Sequence, residues 1–167
     1  RPFLSFRHLP TRMSRRRVVV TGLGIVSPVG VGVDEAWASI LAGRSGIGPI
    51  TRFDASGFPV RIAGEVRDFD VSKWLSAKES RRYDTFIHYG LVAAMESIRD
   101  AGLEGWNGDK ERAGVCIGSG IGGLPMIEAN YKEYHERGAR RISPFLIPGS
   151  IINMISGHLS IKYGFTG

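Results

Sequence analysis

Residues Arg17 to Gly32, RVVVTGLGIVSPVGVG, constrain the fold more than any other stretch. The unbroken run Val18, Val19, Val20 has no polar face. It predicts a strand buried on both sides, as in a parallel sheet covered by helices. The run feeds directly into a turn carrying Gly22, Gly24, Gly30 and Gly32. Those glycines allow positive φ or close backbone approach, and Pro28 keeps a helix from starting at once, so an irregular loop is expected.

Further along, Asp34 is placed to cap a short helix through Glu35, Trp37, Ile40 and Leu41, closed by Gly43. The glycines, prolines and scattered Phe residues from Gly43 to Phe69 fit loops and short strands such as Arg61 to Val66. Tyr83, Phe86, Ile87, Leu91, Ala94, Met95 and Ile98 recur at helical spacing. They predict an amphipathic helix from about Lys78 to Asp100, ended by Gly102, with its apolar face in the core. Ala113 to Ile117 reads as a second buried strand, and Pro125 suits the first turn of a helix through Ile127, Tyr131 and Tyr134 to Gly138. Ser150 is expected to cap a final helix from Ile151 to Tyr163. Strands alternating with helices in this order predict an α/β fold.

The formal charge of +6 invites a nucleic-acid reading until its location is considered. Residues 1–17 hold six arginines and no acid, so the remaining 16 basic residues balance all 16 acidic ones. A neutral body gives no reason to expect nucleic-acid binding, which needs a basic face on the folded part. The basic leader, interleaved with Phe3, Leu4, Phe6 and Leu9, reads as part of a mitochondrial transit segment or as a solvated basic arm, and transit is the favoured reading. A chain opening on Arg1 rather than Met is expected to be cut at that end. Every apolar run is interrupted by polar residues, so no membrane span is expected. A single cysteine excludes an intramolecular disulfide and suits a reducing compartment.

Four segments carry a specific likeness: the 17–32 opening, GVCIGSGIGGLPMIE at 114–128, RRISPFLIPGSIINM at 140–154 and SGHLSIKYGFTG at 156–167. In order and spacing they resemble the 3-oxoacyl-(acyl carrier protein) synthases, the condensing enzymes of fatty-acid synthesis. The likeness covers essentially everything from Arg15 onward. It implies residues 1–14 as leader and 15–167 as the N-terminal portion of a beta-ketoacyl synthase domain. The implied fold is thiolase-like, a layered αβαβα arrangement of which this chain is part of the first half. The implied enzyme is a homodimer that condenses acyl and malonyl thioesters on acyl carrier protein with loss of CO2. It uses no cofactor beyond the carrier's phosphopantetheine. A cysteine thiolate accepts the acyl group and two histidines assist decarboxylation, which is nucleophilic catalysis with electrostatic stabilisation.

The family places that cysteine shortly after a segment like SGHLSIKYGFTG, and the histidines farther on. All three are therefore expected beyond Gly167, and the chain alone is expected to be inactive. Cys116, within Ala113–Ile117, is read as a small buried hydrophobe and rejected as the nucleophile. By position Ile121 matches the residue that gates the family's acyl pocket, while Phe145, Leu146 and Met154 match segments lining it near the dimer interface. Ordinary core packing is the competing reading for those three. Lys78, Arg81, Arg82, Arg140 and Arg141 match positions that receive the acidic carrier protein. Local positive patches on a neutral body suit such a partner. The competing reading is a solvated helix end, with Arg82 paired to Glu79 or Asp84.

Other readings are weaker. Gly118, Gly120 and Gly123 spell GxGxxG, but the dinucleotide fold needs a strand after the following helix, and Pro144 and Pro148 argue against one there. His158 is expected to be structural, and His88 and His135 lack metal-ligand spacing. A truncated product that binds carrier protein or dimerises without catalysing is the alternative of a different class, weighed against by the open apolar edges such a chain would expose.

Overall fold

The computed structural model describes residues 17–167, so the proposed leader of residues 1–14 lies outside the described residues. Two helices, α3 (Thr85–Asp100) and α6 (Met154–Tyr163), pack together at the centre. From α3, Ile87, Leu91 and Met95 meet Ile155 and Leu159 of α6, with Leu75 completing the buried cluster. These are the helical-period positions expected of an amphipathic helix. Each such side chain removed from water contributes roughly 1.5–3 kcal/mol.

The remaining elements surround this pair. A tight antiparallel hairpin, β1 (Val26–Ser27) and β2 (Gly30–Val31), precedes α1 (Val33–Leu41). A second antiparallel pair joins β3 (Ile47–Pro49) to β4 (Ile62–Gly64), within the expected 61–66 stretch. Then come α2 (Ala77–Ser80), α3, α4 (Leu124–Arg137), α5 (Leu146–Ser150) and α6. Pro125 lies in the first turn of α4, which closes at Gly138 as read from the sequence.

Several expectations are corrected. Val18–Val20 form no strand, and Val18 is 92% exposed. A strand exists only as part of a ladder, and no described residue pairs with this run. Ala113–Ile117 likewise has no strand partner, although its burial alternates in the period of two that extended backbone produces. Val115 and Ile117 turn to the core. Cys116 points the other way and is exposed, so it is not the buried hydrophobe expected.

The long helix expected from Lys78 starts instead at Thr85. Ser76 and Glu79 form a reciprocal capping box that starts the single turn of α2, and Asp84 caps α3 anew. Asp34 lies inside the first turn of α1, and the cap is Gly32 at φ 103°. Ser150 ends α5 rather than starting α6, because its hydroxyl donates back to the Leu146 carbonyl.

The glycine loop is irregular as read, and close approach explains its composition. A Cβ on Gly24 would run into the Ala93 carbonyl oxygen and lie 2.7 Å from Ser97 N, both on the α3 backbone. Polar groups of α3 then fix the loop. The Glu96 carboxylate accepts from Ile25 N and Val33 N, each at 2.9 Å, and Asp100 accepts from Leu23 N at 2.8 Å.

Candidate functional site

The residues assigned to an acyl pocket converge on α5. Gly123 N donates to Ser150 O at 2.9 Å, which holds the Gly118–Gly123 turn against the end of α5. Only glycine fits there, since a Cβ on Gly123 would lie 2.9 Å from both Asp84 Cβ and Ser150 Cα. Ile121 projects from this turn with 70% of its surface exposed. Phe145 is the residue that starts α5, Leu146 is its first helical residue, and Met154 opens α6 while packing on the core. Phe145, Leu146 and Met154 are half-buried, so the corner is an open, apolar-walled surface.

Asp84 is the linchpin that sequence reasoning did not single out. It is buried, and its Oδ2 accepts from Met126 N at 2.8 Å in the first turn of α4. Oδ1 faces Phe86 N at the start of α3, and the Asp84 amide donates to Gly149 O at 3.0 Å. One carboxylate thus joins the N-termini of two helices, where negative charge is favoured by their dipoles. Its signal in the sequence is an acid two residues before Phe86, where a helix N-cap can sit.

Of the basic residues, Arg82 reaches this corner. Lys78 and Arg81 are exposed on α2 and at its end, where Arg81 Nε donates to Ala77 O at 3.0 Å. Arg82 pairs with neither Glu79 nor Asp84, whose carboxylates serve the capping box and the helix N-termini. Its guanidinium instead lies 4.5 Å from the centroid of the Phe145 ring. Arg140 and Arg141 are exposed in the 3-10 turn Ala139–Arg141 just before that phenylalanine. Arg141 approaches Glu133 at 3.8 Å, and Glu133 is shared with Arg137.

The histidines are placed structurally. His158 Nε2 meets Pro148 O at 3.2 Å and its ring lies 4.1 Å from that of Tyr83. His88 Nε2 donates to Ser80 O at 3.0 Å, and burial lowers its pKa from the ordinary 6.5. Among the described residues no group of three His, Cys, Asp or Glu side chains is arranged for a metal, and no helix is long and apolar enough to cross a membrane. The GxGxxG glycines follow no strand, and α4 leads into a 3-10 turn and α5 rather than a second strand, which excludes the dinucleotide-binding unit.

Open cavities also lie away from this corner. One of about 460 Å³ runs beneath Ala113–Ile117, against Ile98, Leu159 and Phe165. Another, about 490 Å³, lies between the glycine loop and the Trp37–Ile40 face of α1.

Comparison with known proteins accounts for this arrangement. The chain is 54% identical over 155 residues to 3-oxoacyl-[acyl-carrier-protein] synthase 2 of Coxiella burnetii and 49% identical over 155 residues to that of Vibrio harveyi. Each alignment covers 93% of the chain and 37% of the relative, so the chain spans little more than a third of their length. Among solved structures it superposes on the ishigamide ketosynthase/chain length factor with a TM-score of 0.72 and 31% identity, covering 90% of this chain and 38% of that one. A type II polyketide acyl-carrier protein in complex with its ketosynthase gives 0.71 at 26% identity, covering 91% and 40%. The fold is therefore the N-terminal part of the thiolase-like ketosynthase fold, α/β in class, as expected. The sequence model described as "Beta-ketoacyl synthase, N-terminal domain" matches residues 15–167, and the chain belongs to the beta-ketoacyl synthase family.

Proposed function

We propose that the chain is the N-terminal portion of a 3-oxoacyl-(acyl carrier protein) synthase that condenses acyl and malonyl thioesters in fatty-acid synthesis. The observation that carries this reading is the 54% identity to a synthase of that activity along nearly the whole chain. The family's cysteine nucleophile and two histidines belong to the length of the relatives that this chain does not span. Cys116 supports that division, since it sits on a strandless segment and has, among the described residues, no histidine as hydrogen-bond partner. The uncovered Val18–Val20 run and the cavity beneath Ala113–Ile117 fit surfaces that the remaining strands of such an enzyme would cover.

Within that enzyme, Ile121 gates the acyl pocket and Phe145, Leu146 and Met154 line it. Lys78, Arg81, Arg82, Arg140 and Arg141 receive the acyl carrier protein. The polyketide complex supports a carrier partner, since it is a ketosynthase with its own acyl-carrier protein bound. Homodimerisation and mitochondrial import complete the reading, the latter supported by the arginine-rich, acid-free residues 1–17. The test is condensation by the full-length protein, with the quadruple change of Arg81, Arg82, Arg140 and Arg141 to Glu as control. Wild-type protein should release CO2 from malonyl carrier. The quadruple variant should bind carrier more weakly and with a flatter salt dependence. Unchanged carrier affinity would sink the docking assignment, and absence of condensation by wild type would sink the synthase assignment.

A further inference from the structure

Arg82 occupies two assignments at once. Its backbone carbonyl packs so closely on α5 that a Cβ on Gly149 would collide with it. Two residues later, Asp84 N donates to Gly149 O at 3.0 Å. The main chain at Arg82 is thereby anchored beside α5. The Arg82 side chain lays its guanidinium over Phe145 at 4.5 Å, covering a ring that is only half-buried. Its charge is not spent on an acid, since among the described residues no carboxylate forms an ion pair with it. The same group thus faces an apolar ring on one side and is electrostatically available on the other. Guanidinium suits this, because its flat face stacks on an aromatic ring, which an ammonium meets only as a point charge.

We infer that Arg82 is a positioning residue for the acyl pocket, holding Phe145 in place through its guanidinium face while the same cation stays open to an acidic carrier. Carrier docking and the pocket wall then share one side chain. This rests on the synthase reading above.

The experiment uses the full-length protein and reads the ratio of kcat/KM for long-chain against short-chain acyl carrier substrates, together with carrier affinity. Arg82→Lys keeps the charge and loses the plane. It should change the chain-length ratio by up to about twofold, since an ammonium keeps part of the cation–ring attraction. In a Phe145→Leu background the same change should leave the ratio unaltered, because the ring it acts on is gone. Should Arg82→Lys not fold, Arg82→Gln serves in its place. It removes the cation and should change the ratio roughly two- to fivefold, the worth of a partly exposed cation–ring contact, with a loss of carrier affinity common to all chain lengths. A charge-only role for Arg82 predicts no change in the ratio. An unchanged ratio in both variants, or a change of equal size in the Phe145→Leu background, overturns the inference while leaving the synthase reading intact. A wild-type protein that condenses no acyl substrate overturns both.

Discussion

Replacing Glu96 by Ala should release the glycine loop from α3, and the size of the effect follows from its hydrogen bonds. Each carboxylate oxygen accepts one backbone amide: Oε2 from Ile25 and Oε1 from Val33, both at 2.9 Å. These two amides flank the β1–β2 hairpin, so one side chain clamps both of its ends. A hydrogen bond to a charged group contributes about 1.5–3 kcal/mol net, and the half-buried setting argues for the low end. Alanine should therefore cost about 3 kcal/mol. Glutamine retains one acceptor and turns an N–H donor toward the other amide, so Glu96→Gln should cost about half as much. Denaturant unfolding of the two variants measures the difference, and hydrogen exchange locates it at Ile25 and Val33. Equal destabilisation by Ala and Gln, or unchanged protection of both amides, would refute the reasoning.

Three further outcomes are expected. Gly24→Ala places its Cβ against the α3 backbone at Ala93 and Ser97, which cannot move as a side-chain tip can, so it should destabilise by about 1–3 kcal/mol in thermal or chemical unfolding. His88 has its pKa lowered chiefly by burial, so the unfolded chain binds its proton more readily than the folded one. Its neutral form is the one that suits the fold, so stability should be constant above pH 6.5 and fall as pH drops through and below that value. His88→Gln should flatten this dependence, as a pH series of unfolding midpoints will show. Ile121→Phe acts on an exposed side chain, so it should leave stability within about 0.5 kcal/mol while shifting the acyl chain lengths accepted. A shift in unfolding midpoint without a shift in selectivity would count against the gating role.

Helices were legible in this sequence because their signals are local. Tyr83 to Ile98 displays a period of 3.6, and the buried residues Ile87, Leu91 and Met95 fall on it. What misled was the start. Ser76 and Glu79 spell a capping box three residues apart, and Asp84 lies two residues before Phe86, so the sequence holds two caps within the span of one continuous periodicity. The site was legible only through resemblance. Nothing in periodicity or charge says that the Ile121 turn and α5 meet, because the joining contacts are Gly123 N to Ser150 O and Asp84 to Met126 N, across 27 and 42 residues of sequence.

Strands were not legible in the same way, for a physical reason that these two segments make plain. A helix satisfies its backbone internally, whereas a strand needs a neighbour for every second donor and acceptor. The apolar content of Val18–Val20 and Ala113–Ile117 states what a strand would need around it, and cannot supply it. The second segment shows the intermediate case. Ile117 N finds the Ser156 hydroxyl at 3.0 Å, and Gly167 N donates to Ala113 O at 3.0 Å, so each end of it borrows a partner. With those contacts it keeps an inward face of Val115 and Ile117 and an outward Cys116. Val18–Val20 borrows none among the described residues and keeps all three side chains in water. The difference tracks the partners present, not the hydrophobicity of the run. Ser156→Ala should therefore move residues 113–117 toward the condition of residues 18–20, with faster amide exchange at Ile117 and a cost of about 1 kcal/mol. Unchanged exchange there would mean that packing of Val115 and Ile117 alone orders the segment.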